Sequence, residues 1–181
     1  MKWIIASDIH GCISSVDKLI NIYEKENAEH FLFLGDILYH GPRNQLPGEY
    51  DTFAVAEALN RYTAQIYAVR GNCDAEVDQQ VLEFPLTADY MQLPIEGKVF
   101  FASHGHHFGP HNLPPIGSCD YLLCGHTHVP SYEKIGDIYY LNPGSISIPK
   151  NGSSRSFMLL DGRKLQWHHL DDNSVYKEIE I

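Results

Sequence analysis

Trp3-Ile4-Ile5-Ala6-Ser7-Asp8-Ile9-His10-Gly11 changes character midway: an apolar run suited to a buried strand gives way to an Asp-x-His pair. Asp8 and His10, two positions apart, face the same way if extended geometry persists past the strand. The same succession recurs along the chain. Phe31 to Leu34 leads into Gly35-Asp36, and Ile66 to Val69 into Gly71-Asn72-Cys73-Asp74. Val99 to Ala102 leads into Ser103-His104-Gly105-His106, and Tyr121 to Cys124 into Gly125-His126-Thr127-His128. In α/β sheets, side chains just beyond the carboxyl ends of strands converge on one crevice although they are distant in sequence. Gly35, Gly71, Gly105 and Gly125 each adjoin a candidate ligand, where backbone freedom permits a sharp turn.

Working outward, Val16, Leu19, Ile22 and Tyr23 share one helical face behind the capping candidates Ser14 and Ser15. Val55, Leu59 and Tyr62 repeat that spacing, so the first half reads βαβαβ. Beyond about residue 88 the helical period fades. Strand candidates at Ile138 to Leu141, Phe157 to Leu160 and Leu165 to Trp167 then follow through turns such as Gly136-Asp137 and Asp161-Gly162. The pattern predicts an α/β protein of two packed sheets with helices outside, a single domain over residues 1–181. Tyr39 to Tyr50 is the one long insertion in the first half, and it shares with His106 to Pro115 the shaping of any pocket. His168-His169, on a late strand outside these motifs, reads as surface.

Hydrophobic residues make up 44% of the chain and charged residues 20%, which suits an ordinary globule. A formal net charge of −10 argues against non-specific nucleic-acid binding. Cys12, Cys73, Cys119 and Cys124 have neither CxxC spacing nor the density of a disulfide framework, so a reducing cytoplasm is expected. The apolar run before Ser7 is too short for a signal or membrane segment, and no membrane partner is expected. An exposed face could pair identical subunits into a homo-oligomer.

Oxygen and imidazole donors without thiolates suit borderline or hard divalent ions. Asp8, His10, Asp36, Asn72, His104, His126 and His128 exceed what one tetrahedral site needs, which fits two metals sharing a carboxylate. Each part alone is weak, since an isolated Asp-x-His or strand-end His is more often structural.

These ordered motifs resemble those of the calcineurin-like metallophosphoesterases. The strings Ala6 to Gly11, His40-Gly41-Pro42-Arg43-Asn44, Val69 to Asp74, Phe108-Gly109-Pro110 and Asn142-Pro143-Gly144-Ser145 are similar to the small bacterial YfcE-type phosphodiesterases in particular. The resemblance implies a four-layer α/β/β/α sandwich, two mixed β-sheets flanked by helices, of the metallo-dependent phosphatase-like kind. It implies that Asp8, His10 and His128 bind one metal, Asn72, His104 and His126 the other, and that Asp36 bridges. The implied metals are two divalent ions, Mn2+ first, with Ni2+, Fe2+, Zn2+ or Mg2+ as alternatives.

The implied reaction is hydrolysis of a small phosphodiester by a metal-bridging hydroxide. The alternatives are a phosphomonoesterase or nucleotidase on the same site, or a non-catalytic interaction scaffold of the same fold. Candidate catalytic residues are Asn72, Cys73 and His106. Many relatives carry His where this chain has Cys73, which puts a His-based general acid there in doubt and predicts a selective leaving-group requirement. Beside two cations the thiol is expected to ionise, and a small buried filler is its structural alternative. His106 could reach a phosphate oxygen or only solvent. Arg43 and Arg70 are the candidate substrate-binding cations, with a structural ion pair the competing use of Arg70.

Overall fold

In the computed structural model, which describes residues 1–114 and 119–181, the strands form two mixed sheets. The first contains β1 (Lys2–Ala6), β2 (His30–Phe33) and β3 (Ile66–Ala68) in parallel, continued antiparallel by β9 (Ser156–Asp161), β10 (Lys164–His169) and β11 (Val175–Glu180). Its order is β11-β10-β9-β1-β2-β3. The second contains β4 (Tyr90–Ile95), β5 (Lys98–Ser103), β6 (Tyr121–Leu123), β7 (Ser131–Ile135) and β8 (Ile138–Asn142), in the order β4-β5-β6-β8-β7. Strands β5, β6 and β8 run parallel there.

Strand alternation builds the layers. In β1, Ile4 and Ala6 face the helices α1 (Ile13–Glu26) and α2 (Thr52–Asn60) with Phe31 and Phe33 of β2, while Trp3 and Ile5 face the second sheet. Between the sheets they meet Phe100, Leu123 and Leu141, each contributing about 1.5–3 kcal/mol on full burial. On the outer face of the second sheet, Phe101, Leu122 and Tyr140 pack against Phe108 and Cys119 from the segment after β5. Pro115, the end of the second loop predicted to shape the pocket, lies outside the described residues.

Three strands had no apolar run to announce them: β4, β7 and β11. All are sheet edges, and β4 and β11 alternate exposed and partly buried residues, so a strand core cannot be read from either. Pro94 sits in β4, where an edge tolerates a missing donor.

Other local readings also shift. The N-cap of α1 is Cys12, and Ser14 and Ser15 lie in its first turn with hydroxyls 3.5 and 3.2 Å from Cys12 Sγ. In α2 the Asp51 carboxylate accepts from Ala54 N at 2.9 Å, and Tyr62 falls beyond the helix, edge-on to Phe31. His168 is buried rather than on the surface: its ring stacks on Phe157 and shares a 2.8 Å hydrogen bond with Asn173 Oδ1.

Candidate metal centre

The strand-end residues do converge, but not by continuing as extended chain. Asp8, His10, Asp36, His126 and His128 have φ of 57°, 50°, 58°, 67° and 61°. Left-handed backbone at a residue other than glycine costs of order 1–3 kcal/mol, so surrounding bonds must hold it. Asp8 N donates to Gly35 O, His10 N to Asp36 O and Gly11 N to Ile37 O at 2.9–3.1 Å, tying the first turn to the second.

Asp74 ties the second turn to the third. Its carboxylate accepts from Asp36 N and Gly71 N at 2.7 Å and from Ile37 N at 2.8 Å. Burial pushes this carboxyl up to about 6 against the pull of those donors. Two glycines serve close approach rather than unusual torsion: a Cβ on Gly71 would overlap Asp36 Oδ1, and one on Gly125 would overlap Ser7 Oγ.

The Asn142 to Ser145 stretch braces the remaining turns. Asn142 Nδ2 donates to Gly125 O at 2.7 Å and to Thr127 Oγ1 at 3.1 Å, and the Asn142 backbone carbonyl accepts from Trp167 Nε1 at 2.8 Å. Ser145 Oγ donates to Asp8 O at 2.8 Å and accepts from Ile148 N at 2.9 Å. Ile148 O in turn accepts from His128 Nδ1 at 2.7 Å.

That last contact belongs to a pattern that orients the imidazoles. His10 Nδ1 donates to Tyr39 O at 2.8 Å and His104 Nδ1 to Leu34 O at 2.6 Å. Each ring therefore turns Nε2 inward. His10 Nε2 lies 3.4 Å from His128 Nε2, 3.7 Å from Asp8 Oδ1 and 3.6 Å from Asp36 Oδ2. His104 Nε2 lies 3.0 Å from Asn72 Oδ1, 3.3 Å from His126 Nδ1 and 3.4 Å from Asp36 Oδ2. Two groups of lone pairs thus face inward, with Asp36 Oδ2 next to a histidine of each.

The donor set fits metal ions. Asp8 Oδ1 is fully buried with no hydrogen-bond partner among the described residues, an arrangement costly for a carboxylate that no cation meets. Burial opposes ionisation of Asp8 and Asp36, but neighbouring histidines outweigh it and hold both carboxyls low. Burial disfavours the charged His104, yet its bond to Asp36 and the charge of Asp8 raise it to about 9 without metal. Burial, with His104 next, lowers His106 to about 4, so this ring is neutral at pH 7.

Above these atoms is a cavity of about 440 Å³. Asn72, Cys73 and Arg43 line it, together with Thr127 and Lys150. Cys73 Sγ accepts from Asn72 Nδ2 at 3.2 Å, and burial with the charge of Asp36 pushes the thiol up to about 12 in the absence of metal. His106 stacks edge-on against His104 at 5.3 Å between ring centres. Arg70 is not in the lining: its guanidinium pairs with Asp89 Oδ1 at 2.7 Å, the structural use weighed for it from sequence. Lys150 and the bracing roles of Asp74, Asn142 and Ser145 were missed. The last three stood inside quoted motifs, whereas Lys150 carried no signal.

Inward-facing nitrogen and oxygen lone pairs across the seam of two mixed sheets are what a metal-dependent phosphoric ester hydrolase has to provide. The chain belongs to the calcineurin-like phosphoesterase superfamily, whose domain it matches over residues 1–164. It is 45% identical over 181 residues to phosphodiesterase YfcE of Escherichia coli K12, covering 100% of this chain and 98% of that protein. The solved structure of E. coli YfcE, described as a phosphoesterase, superposes with a TM-score of 0.95 at 44% identity and full coverage of both chains. A phosphodiesterase of Methanocaldococcus jannaschii is 29% identical over 151 residues, 80% of this chain and 83% of that one.

Proposed function

We propose that the chain works as a single-domain phosphodiesterase on a small phosphodiester, with two divalent ions in the crevice. One is held by Asp8, His10 and His128, the other by Asn72, His104 and His126, and Asp36 is shared. The observation that carries this reading is Asp36 Oδ2, 3.6 Å from His10 Nε2 and 3.4 Å from His104 Nε2, the position a bridging carboxylate needs. Divalent ions bound there supply Lewis acidity to the phosphoryl oxygens and lower the pKa of water. The protein's own part is positioning: tautomers set by backbone carbonyls, and a cavity above the ligand atoms with room for the ester.

Cys73 stands where a proton-donating imidazole would serve a poor leaving group, so esters with good leaving groups are favoured. The names of the relatives support a diester over a monoester, and the full ligand set argues against a non-catalytic scaffold. Manganese suits mixed imidazole and carboxylate donors and is the metal proposed. Cysteines without disulfides fit a cytoplasmic location, and among the described residues no helix is long and apolar enough to cross a membrane.

The test is turnover of a chromogenic phosphodiester and its monoester after chelation and reloading with each metal in turn. Faster diester hydrolysis with manganese is expected, with a loss of at least ~100-fold in Asp36→Asn. Much faster monoester turnover refutes the proposal.

A further inference from the structure

Of the 13 Lys and Arg residues, seven lie within 4.0 Å of a carboxylate, Lys18, Arg70, Lys98 and Arg155 among them. Among the described residues, Arg43 and Lys150 have no carboxylate within 4.0 Å, and neither side chain donates a hydrogen bond. Both are exposed and both line the cavity over the metal centre, although they come from different loops.

Arg43 arrives on the Tyr39 to Tyr50 insertion, beside Gly41, whose added Cβ would lie 2.9 Å from Cys73 Sγ. Lys150 arrives beyond the Asn142 to Ser145 brace, with its backbone N–H bonded to His128 O at 3.2 Å.

We propose that Arg43 and Lys150 form a subsite for a second anionic group, a carboxylate or phosphate on the non-leaving arm of the phosphodiester. The inference rests on the phosphodiesterase reading and narrows its substrate class. Charge balance supports it. A diester brings one negative charge to its reacting phosphoryl group, and the metal ions held by Asp8 and Asp36 already answer that charge at the cavity floor. Two further cations at the rim are surplus to a diester with neutral arms. A volume of about 440 Å³ lies within the usual ~300–1,000 Å³ range for small-molecule sites, so an arm beyond the phosphate has room. Asn44 and Thr127, also in the lining, add polar contacts for such a group.

The test compares two p-nitrophenyl phosphodiesters with one leaving group, one bearing a propyl arm and the other a 2-carboxyethyl arm. They are used on the manganese-loaded protein and on Arg43→Gln, Lys150→Gln and the double variant. The carboxylate ester is expected to have the lower KM in the parent. Each exposed cation accounts for about 3- to 5-fold of that preference and the pair for ~10-fold, while the propyl ester changes less than ~2-fold. In parallel, propyl phosphate and 2-carboxyethyl phosphate are titrated calorimetrically, which reads the subsite without turnover. If neither ester is hydrolysed, the phosphodiesterase reading fails, and the calorimetric preference still decides the subsite. Equal binding of the two arms by the parent overturns the inference. So does an equal loss on both esters in the double variant, which would assign the cations to the reacting phosphate.

Discussion

Ser145→Ala removes one oxygen, and the structure lets its consequences be counted. The hydroxyl donates to Asp8 O at 2.8 Å and accepts from Ile148 N at 2.9 Å and Ser147 N at 3.1 Å. Asp8 is fully buried, so its carbonyl would lose its partner out of reach of solvent, at about 1–3 kcal/mol. Ser147 and Ile148 are half-buried and recover part of their loss from water, adding ~0.5 kcal/mol each. The expected destabilisation is about 2–4 kcal/mol in urea unfolding of the metal-free protein.

The metal centre should respond separately. Ser145 holds Asp8 at a φ of 57° and also places Ile148, whose carbonyl orients His128. Loosening such supporting groups costs ~10–100-fold in metal affinity, read by calorimetric titration with manganese after chelation. Ser174→Ala is the control. Its hydroxyl bonds Asp172 Oδ1 at 2.6 Å in an exposed turn away from the crevice, and its loss should stay within ~0.5 kcal/mol. A Ser145→Ala protein within ~1 kcal/mol of the parent and with parental manganese affinity would refute this account of the brace.

Gly125→Ala places a Cβ onto Ser7 Oγ and 2.9 Å from Asp8 Oδ2, so a loss of ~1–3 kcal/mol in urea unfolding is expected, with weaker manganese binding. Parental stability would show that the turn gives way freely. Cys73→His restores an imidazole beside the leaving group and is expected to speed esters of poor leaving groups by ~10²-fold or more, with little effect on p-nitrophenyl esters. An unchanged dependence on leaving-group pKa removes position 73 from proton donation. Metal binding should displace the proton from His104, which the metal-free protein holds to about 9, so manganese affinity rises ~10-fold per pH unit from 7 to 8.5. Because that pKa is raised on folding, the stability it contributes to the metal-free protein is complete below about 6.5 and lost as pH rises through 9. Calorimetry in buffers of different ionisation enthalpy checks the proton release, and pH-independent affinity contradicts it.

Short-range chemistry was legible in the chain. Apolar runs at β1, β2, β5 and β9 marked buried strands because both faces of a central strand are covered, and metal-ligand residues just beyond strand ends marked the crevice. The edge strands β4, β7 and β11 escaped because solvent on one face dilutes the apolar signal, as in Tyr90 to Ile95 and Val175 to Glu180.

The sequence by itself determined which donors were available and that they lie beyond successive strands. Only the tertiary structure decided how they meet. Extended geometry past β1 would have placed Asp8 and His10 side by side, whereas left-handed turns at both, held by Gly35, Asp36 and Ser145, aim them inward. Those partners lie 26 to 137 residues away, and a backbone torsion sustained by such distant bonds leaves no local trace in the residues that adopt it. The same reason hid Asp74 and Lys150: a carboxylate becomes a clamp, or a lysine a cavity wall, only once the sheets have packed.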